Sequence, residues 1–151
     1  MDMENVPEEI KELYMSQDRN IDDSGVDIYM PYNIEIEPRS TVLLNTGLRC
    51  KMTNKVSDTA ESLPYYLYAR SSIYKTPLIL ANGVGIIDRG YRGLLKIALL
   101  NTSDNSYTVE KGTRLVQICS RDLSSINICG LVSISPAETS RGEGGFGSTG
   151  V

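Results

Sequence analysis

Residues 94–119 read LLKIALLNTSDNSYTVEKGTRLVQIC. The two apolar runs in this stretch, 94–100 and 113–119, are short, and turn-forming clusters bound them at Ser103-Asp104-Asn105 and Lys111-Gly112. Partial apolar/polar alternation puts successive side chains on opposite faces of a strand, and Gly, Asn and Asp between such runs reverse the chain. Two strands are therefore predicted here. Working outward, the same texture recurs in VDIYM at 26–30, IEI at 34–36, TVLL at 41–44, YYLYA at 65–69, LIL at 78–80 and INICGLVSI at 126–134. Further turn signals are Asn45-Thr46-Gly47, Thr53-Asn54-Lys55 and Asp88-Arg89-Gly90. Residues 53–62 predict a polar hairpin loop, and residues 80–93 a tight β-hairpin. Only residues 7–15 predict a helix: Pro7 suits the first position, Glu8 and Glu9 the first turn, and Ile10, Leu13 and Tyr14 share a face. No helical periodicity supports βαβ units. The expectation is an all-β sandwich or barrel.

The 151 residues suit one domain spanning 1–151. Residues 1–23 are expected to be an N-terminal extension and residues 135–151 a flexible C-terminal arm with almost no apolar content. The chain has no His and no Trp, and its single Phe is Phe146, inside that arm. Without His there is no Ser-His-Asp or Cys-His nucleophile pair and no His-containing zinc site. Acid–base chemistry falls to Asp, Glu, Lys, Tyr or water. The net charge is −4 and no Lys/Arg run exists, which argues against general nucleic-acid binding. Cys50, Cys119 and Cys129 lack metal or disulfide spacing and read as reduced thiols. The acidic start MDMENVPEEI is not a secretory signal, and no apolar run is long enough to span a membrane. An intracellular protein, cytoplasmic or nuclear and without membrane contact, is expected.

Five segments carry candidate chemistry. RGEGGFGSTG at 141–150 combines glycines that allow close backbone approach to an anion with Arg141, which can fork onto phosphate, and the hydroxyls of Ser148 and Thr149. It is no Walker A loop, since Ser148 stands at the lysine position and no helix follows. LANGVGIIDRGYRG at 80–93 offers a backbone-lined slot able to read a planar ring by its edge, with Asp88 as candidate general base; a bare turn aspartate is the competing reading. ARSS at 69–72, GTRLVQ at 112–117 and DSGVDIY at 23–29 are individually weak, since polar strand ends are usually just solvated.

Together, DSGVDIY, ARSS, NGVGIIDRGYRG, GTRLVQ and RGEGGFGSTG resemble, in order and spacing, the five motifs of the trimeric dUTPases, over residues 24–150. That resemblance implies a jelly-roll-like, β-clip subunit and a homotrimer whose three sites each draw motifs from more than one chain. It implies Mg²⁺-dependent hydrolysis of dUTP to dUMP and pyrophosphate, which keeps uracil out of DNA and supplies dUMP for dTMP synthesis. It further implies that Asp88 activates the water attacking the α-phosphorus. Gly85, Ile86 and Ile87 would give backbone contacts, Asn82 would help read uracil, and Tyr91 would pack on the deoxyribose and exclude a 2′-OH. Arg70, Ser71 and Ser72 would lie along the phosphates, Gln117 would hold phosphate or its water, and Asp27 would engage Mg²⁺ through its water shell. Arg141 would clamp the γ-phosphate, Phe146 would stack on uracil, and Gly147 and Ser148 would close on the triphosphate. Two positions depart from the family pattern: Ser72, where Gly is usual, and Leu94, where a polar or acidic residue is common. A dCTP deaminase of the same fold would need a glutamate base where alignment on Gly90, Gly93 and Asn101 puts Ala98. A non-catalytic relative would be expected to lose Asp88, Tyr91 or the arm, and all are present.

Overall fold

The computed structural model describes every residue except 18, 21, 55–59, 129–132, 136, 138, 141 and 146–151. Among the described residues one α-helix, α1 (Glu8–Ser16), precedes eleven strands. These are β1 (Gly25–Tyr29), β2 (Ile34–Ile36), β3 (Thr41–Asn45), β4 (Met52–Asn54), β5 (Glu61–Leu63), β6 (Tyr65–Ala69), β7 (Leu78–Leu80), β8 (Gly85–Ile87), β9 (Lys96–Asn101), β10 (Tyr107–Val109) and β11 (Arg114–Ser120). A 3-10 helix, Ser71–Lys75, follows β6. The pairing is antiparallel throughout: a four-stranded sheet in the order β1-β11-β6-β8, a three-stranded sheet β3-β9-β7, and the pairs β10-β2 and β4-β5. This is an all-β, jelly-roll-like fold.

Alternation explains most of it. Along β9, Ile97, Leu99 and Asn101 point inward while Lys96 is exposed. β11 is largely buried after Arg114 and reads as a nearly continuous apolar run, with β1 and β6 pairing its two edges. The core is aliphatic as expected, with Ile28, Leu48, Leu95, Leu99 and Val116 fully enclosed. α1 lays Ile10 and Tyr14 on it, and the Tyr14 hydroxyl accepts the Tyr29 N–H at 2.8 Å.

One expectation fails, and another is unmet among the described residues. Residues 80–93 are not a hairpin: β7 pairs with β9 and β8 with β6, so the turn between them carries the chain from one sheet to another. Gly83 permits that crossing with φ +70° and a hydrogen bond from its N–H to the Leu80 carbonyl at 3.0 Å. Of the strand expected at 126–134, residues 129–132 lie outside the described residues, and the described ones form no strand. Side chains take their backbone groups instead: Arg19 donates to the Ile126 carbonyl at 2.5 Å, and the Asp2 carboxylate accepts the Ile134 N–H at 3.0 Å. β10, unread in the sequence, seals the far edge of β2.

Candidate active site

β8 is an edge strand. Its inner edge pairs with β6, Leu67 opposite Gly85 and Tyr65 opposite Ile87. β8 also lines a cavity of about 250 Å³, together with Leu67, Asn82, Asp88, Tyr91 and Ala98. An edge strand presents peptide N–H and C=O groups in a row, the arrangement a planar heterocycle can pair with. Gly85 keeps the floor close, since a Cβ there would lie 3.1 Å from that of Leu67.

Asp88 follows β8 directly and is exposed; among the described residues it is the only acid lining the cavity. A tight turn holds it, with its carbonyl accepting the Tyr91 N–H at 2.9 Å. Arg92, only 3% exposed, braces that turn from beneath. Its guanidinium donates to the carbonyls of Arg89 (2.9 Å) and Tyr91 (2.8 Å) and to Ser62 Oγ (3.1 Å). Sequence reasoning missed Arg92; an arginine between Tyr91 and Gly93 in a glycine-rich stretch was the available signal. The Tyr91 hydroxyl donates to the Leu94 carbonyl at 2.8 Å, a backbone contact that Leu94 can supply whatever its side chain. Burial, then nearby Glu143, raise the Tyr91 pKa, so the phenol stays a neutral donor.

A second group lies at the opposite end of β6. Asp27, Gln117 and Tyr68 stand in one cross-strand row. The Asp27 carboxylate takes Arg70 Nε at 2.7 Å and an Arg114 guanidinium nitrogen at 3.0 Å. Arg70 also donates to Ser72 Oγ at 3.3 Å, and Ser71 is exposed at the start of the 3-10 helix. Gln117 donates to the Ala69 carbonyl at 3.4 Å, and it fits only because position 25 is glycine: a Cβ there would fall 2.0 Å from its Oε1. Two arginines on one carboxylate leave this group net positive, as a phosphate chain requires. Arg114 was noted in the sequence but not named as a site residue.

One chain does not bring the two groups together. Asp88 leaves the sheet beside Tyr65 and Arg70 lies just past Ala69. At about 3.3 Å per residue, the length of β6 separates their backbones by roughly 15–20 Å. Of the C-terminal site residues, Arg141, Phe146, Gly147 and Ser148 lie outside the described residues. Gly144 and Gly145, which are described, line the cavity.

The family profile described as dUTPase matches residues 12–150. The chain belongs to the dUTPase family. A deoxyuridine 5'-triphosphate nucleotidohydrolase of Clostridioides difficile is 36% identical over 85% of this chain and 84% of its own length. One from a Picosynechococcus strain is 34% identical over 85% and 84%. The solved dUTPase of Streptococcus mutans superposes with a TM-score of 0.58 at 27% identity, over 76% of this chain and 88% of that one. A variant dUTPase of Staphylococcus bacteriophage 80alpha, solved with dUpNHpp, shares the fold at a TM-score of 0.55 and 23% identity, covering 98% and 94%. Among the described residues, no helix of this dUTPase is long and apolar enough to cross a membrane.

Proposed function

We propose that this dUTPase hydrolyses dUTP to dUMP and pyrophosphate by attack of an Asp88-activated water on the α-phosphorus. The observation that carries this reading is the cavity at the edge of β8, which joins a peptide edge, Tyr91 and a single carboxylate in one wall. Uracil pairs with the backbone of Gly85, Ile86 and Ile87, with Asn82 at the rim. Cytosine would leave the same polar groups unpaired, a mismatch worth about 10⁴-fold or more. Tyr91 stacks on the deoxyribose and leaves no room for a 2′-OH. Asp88 takes the proton of the water, which then needs only an in-line position. Ala98 on the cavity wall, where a deaminase would need its glutamate, weighs against deamination.

Arg70, Ser71, Ser72 and Gln117 hold the phosphate chain in this reading. Arg141, Phe146, Gly147 and Ser148 close on it from the arm and exclude water. The donor set also fits Mg²⁺. Among the described residues no three of His, Cys, Asp and Glu converge on one point. The arginine-flanked Asp27 therefore offers one carboxylate rather than a cage. Mg²⁺ keeps most of its waters and prefers one or two carboxylates plus phosphate oxygens, so Asp27 would hold the waters of an ion carried on the triphosphate. When bound, the ion neutralises phosphate charge. The separation of Asp88 from Arg70 supports a trimer in which the two groups of one site come from different chains.

The test is pyrophosphate release from dUTP, dCTP, dTTP and UTP with Mg²⁺, with ammonia measured alongside. Release from dUTP alone, without ammonia, is expected. Asp88→Asn should abolish turnover while dUTP binding largely survives, and near-normal kcat in that variant would remove Asp88 as the base.

A further inference from the structure

The first residues of the chain reach the Asp88 turn through a single side chain. Asp2 pairs with Arg49 in both directions, backbone N–H to carbonyl, at 2.8 and 3.0 Å. Asp2 is buried, and its two carboxylate oxygens accept the N–H groups of Glu4 at 2.9 Å and Ile134 at 3.0 Å. Met3 and Val6 belong to the apolar core. Gly47 lets the segment pass: a Cβ there would stand 2.5 Å from the Asn5 carbonyl oxygen and 3.2 Å from the Val6 side chain. Residues 1–6 thus form a strap pinned at Asp2, Met3 and Val6. They precede the stretch that the family profile matches, which begins at residue 12.

The side chain that leaves the strap's partner is Arg49. With its backbone held by Asp2, its guanidinium donates to the Arg92 carbonyl at 2.8 Å. The Arg92 guanidinium in turn donates to the carbonyls of Arg89 and Tyr91, and the Tyr91 N–H closes the turn on the Asp88 carbonyl. Hydrogen bonds therefore link Asp2 to the Asp88–Tyr91 turn without a break. The same Arg49 nitrogen meets the Glu143 carboxylate at 2.6 Å, on a side chain that is 55% exposed. An ion pair that open to water holds little, so the Arg92 carbonyl is the contact that can set the turn.

We propose that residues 1–6 are a strap that sets the Asp88–Tyr91 turn, and that Arg49 is the positioning residue through which they act. The inference rests on the roles given above to Asp88 and Tyr91. Arg49 acts on both through Arg92, the residue that follows Tyr91. It fixes where the phenol meets the sugar and where the carboxylate meets the water. A misplacement of about 1 Å at such groups can cost on the order of 10²-fold in rate.

Arg49→Met removes the donor and keeps an apolar stem, whereas Arg49→Lys keeps a donor. The decisive readout is the UTP/dUTP ratio of kcat/KM, which does not depend on how much of a preparation is folded. Arg49→Met should raise that ratio about fivefold and lower kcat for dUTP roughly tenfold, and Arg49→Lys should recover most of both. Met3→Ser with Val6→Ser loosens the strap, leaves Arg49 in place and should raise the ratio as well. Glu143→Gln should leave it unchanged. A fall in Tm with the ratio intact would make Arg49 merely structural and overturn the proposal. So would an equal rise in Glu143→Gln, or no rise in the Met3/Val6 variant. Hydrogen exchange reads the turn without substrate: the amides of 88–93 should exchange roughly tenfold faster in Arg49→Met and in the Met3/Val6 variant than in wild type, and equal rates overturn the strap. Absence of pyrophosphate release by the unaltered chain would sink the catalytic reading instead, and the exchange rates would still judge the strap.

Discussion

Gly93 is small because Tyr91 lies over it: a Cβ there would come within 2.5–2.9 Å of the phenol. Gly93→Ala must therefore push the ring out of the place from which it would exclude a 2′-OH. It should raise the UTP/dUTP ratio of kcat/KM at least tenfold, checked by parallel steady-state assays; an unchanged ratio would detach Tyr91 from sugar selection. Asp27 poses a different question, since both of its oxygens already hold arginine. Asp27→Asn should raise KM for dUTP severalfold at low Mg²⁺, with the loss shrinking as Mg²⁺ rises, because the carboxylate would hold the waters of the ion carried on the triphosphate. A loss equal at every Mg²⁺ concentration would make Asp27 chiefly the shared anchor of Arg70 and Arg114. Asp88, Tyr91 and Asn82 could be suspected from sequence because they fall within a few residues of one another. The pairing of Asp27 with Arg70 and Arg114 could not, because the three lie far apart in the sequence and meet only through the fold.

At the scale of elements, strands announced themselves wherever burial was one-sided or complete, as in β6, β9 and β11. Two things stayed hidden. Residues 126–134 carry strand-like letters, but Arg19 takes the Ile126 carbonyl and Asp2 the Ile134 N–H, which no local pattern reveals. The turn after β7 looked like a hairpin because turn chemistry says that the chain reverses, not which strand it meets next. Asn101 shows how much one polar residue in an apolar run can organise. Fully buried at the end of β9, its amide donates to the carbonyls of Ile36, Glu37 and Asn105, and its carbonyl accepts from Ser103. Asn101→Ala would leave several buried groups unpaired and should cost about 2–4 kcal/mol in urea unfolding. Cys50 gives a pH signature. Burial pushes its thiol up to about 12 from an ordinary value near 9. The folded chain therefore keeps a proton that the unfolded chain releases above pH 9, and stability is full below that and lost as pH rises toward 12. Between pH 8 and 10, wild type should lose more stability than Cys50→Ala; equal losses would mean that Cys50 contributes no linkage.

For the whole molecule, the decisive fact is the length of β6. It puts the β8 edge with Asp88 and the arginine group on the same sheet but at opposite ends, their backbones roughly 15–20 Å apart. Register is a tertiary property, so the motifs could be found in sequence while their separation could not. If a site joins the Asp88 end of one chain to the Arg70 end of another, two inactive chains can repair each other. Chains carrying Asp88→Asn and chains carrying Arg70→Ala, each nearly inactive alone, are mixed under dissociating conditions and reassembled. With random assortment in a closed trimer, roughly a quarter of the sites draw an intact group from each chain, and activity should return to about that fraction. Silence in the mixture, with a monomer in sedimentation, would mean that the two ends of β6 never meet across chains.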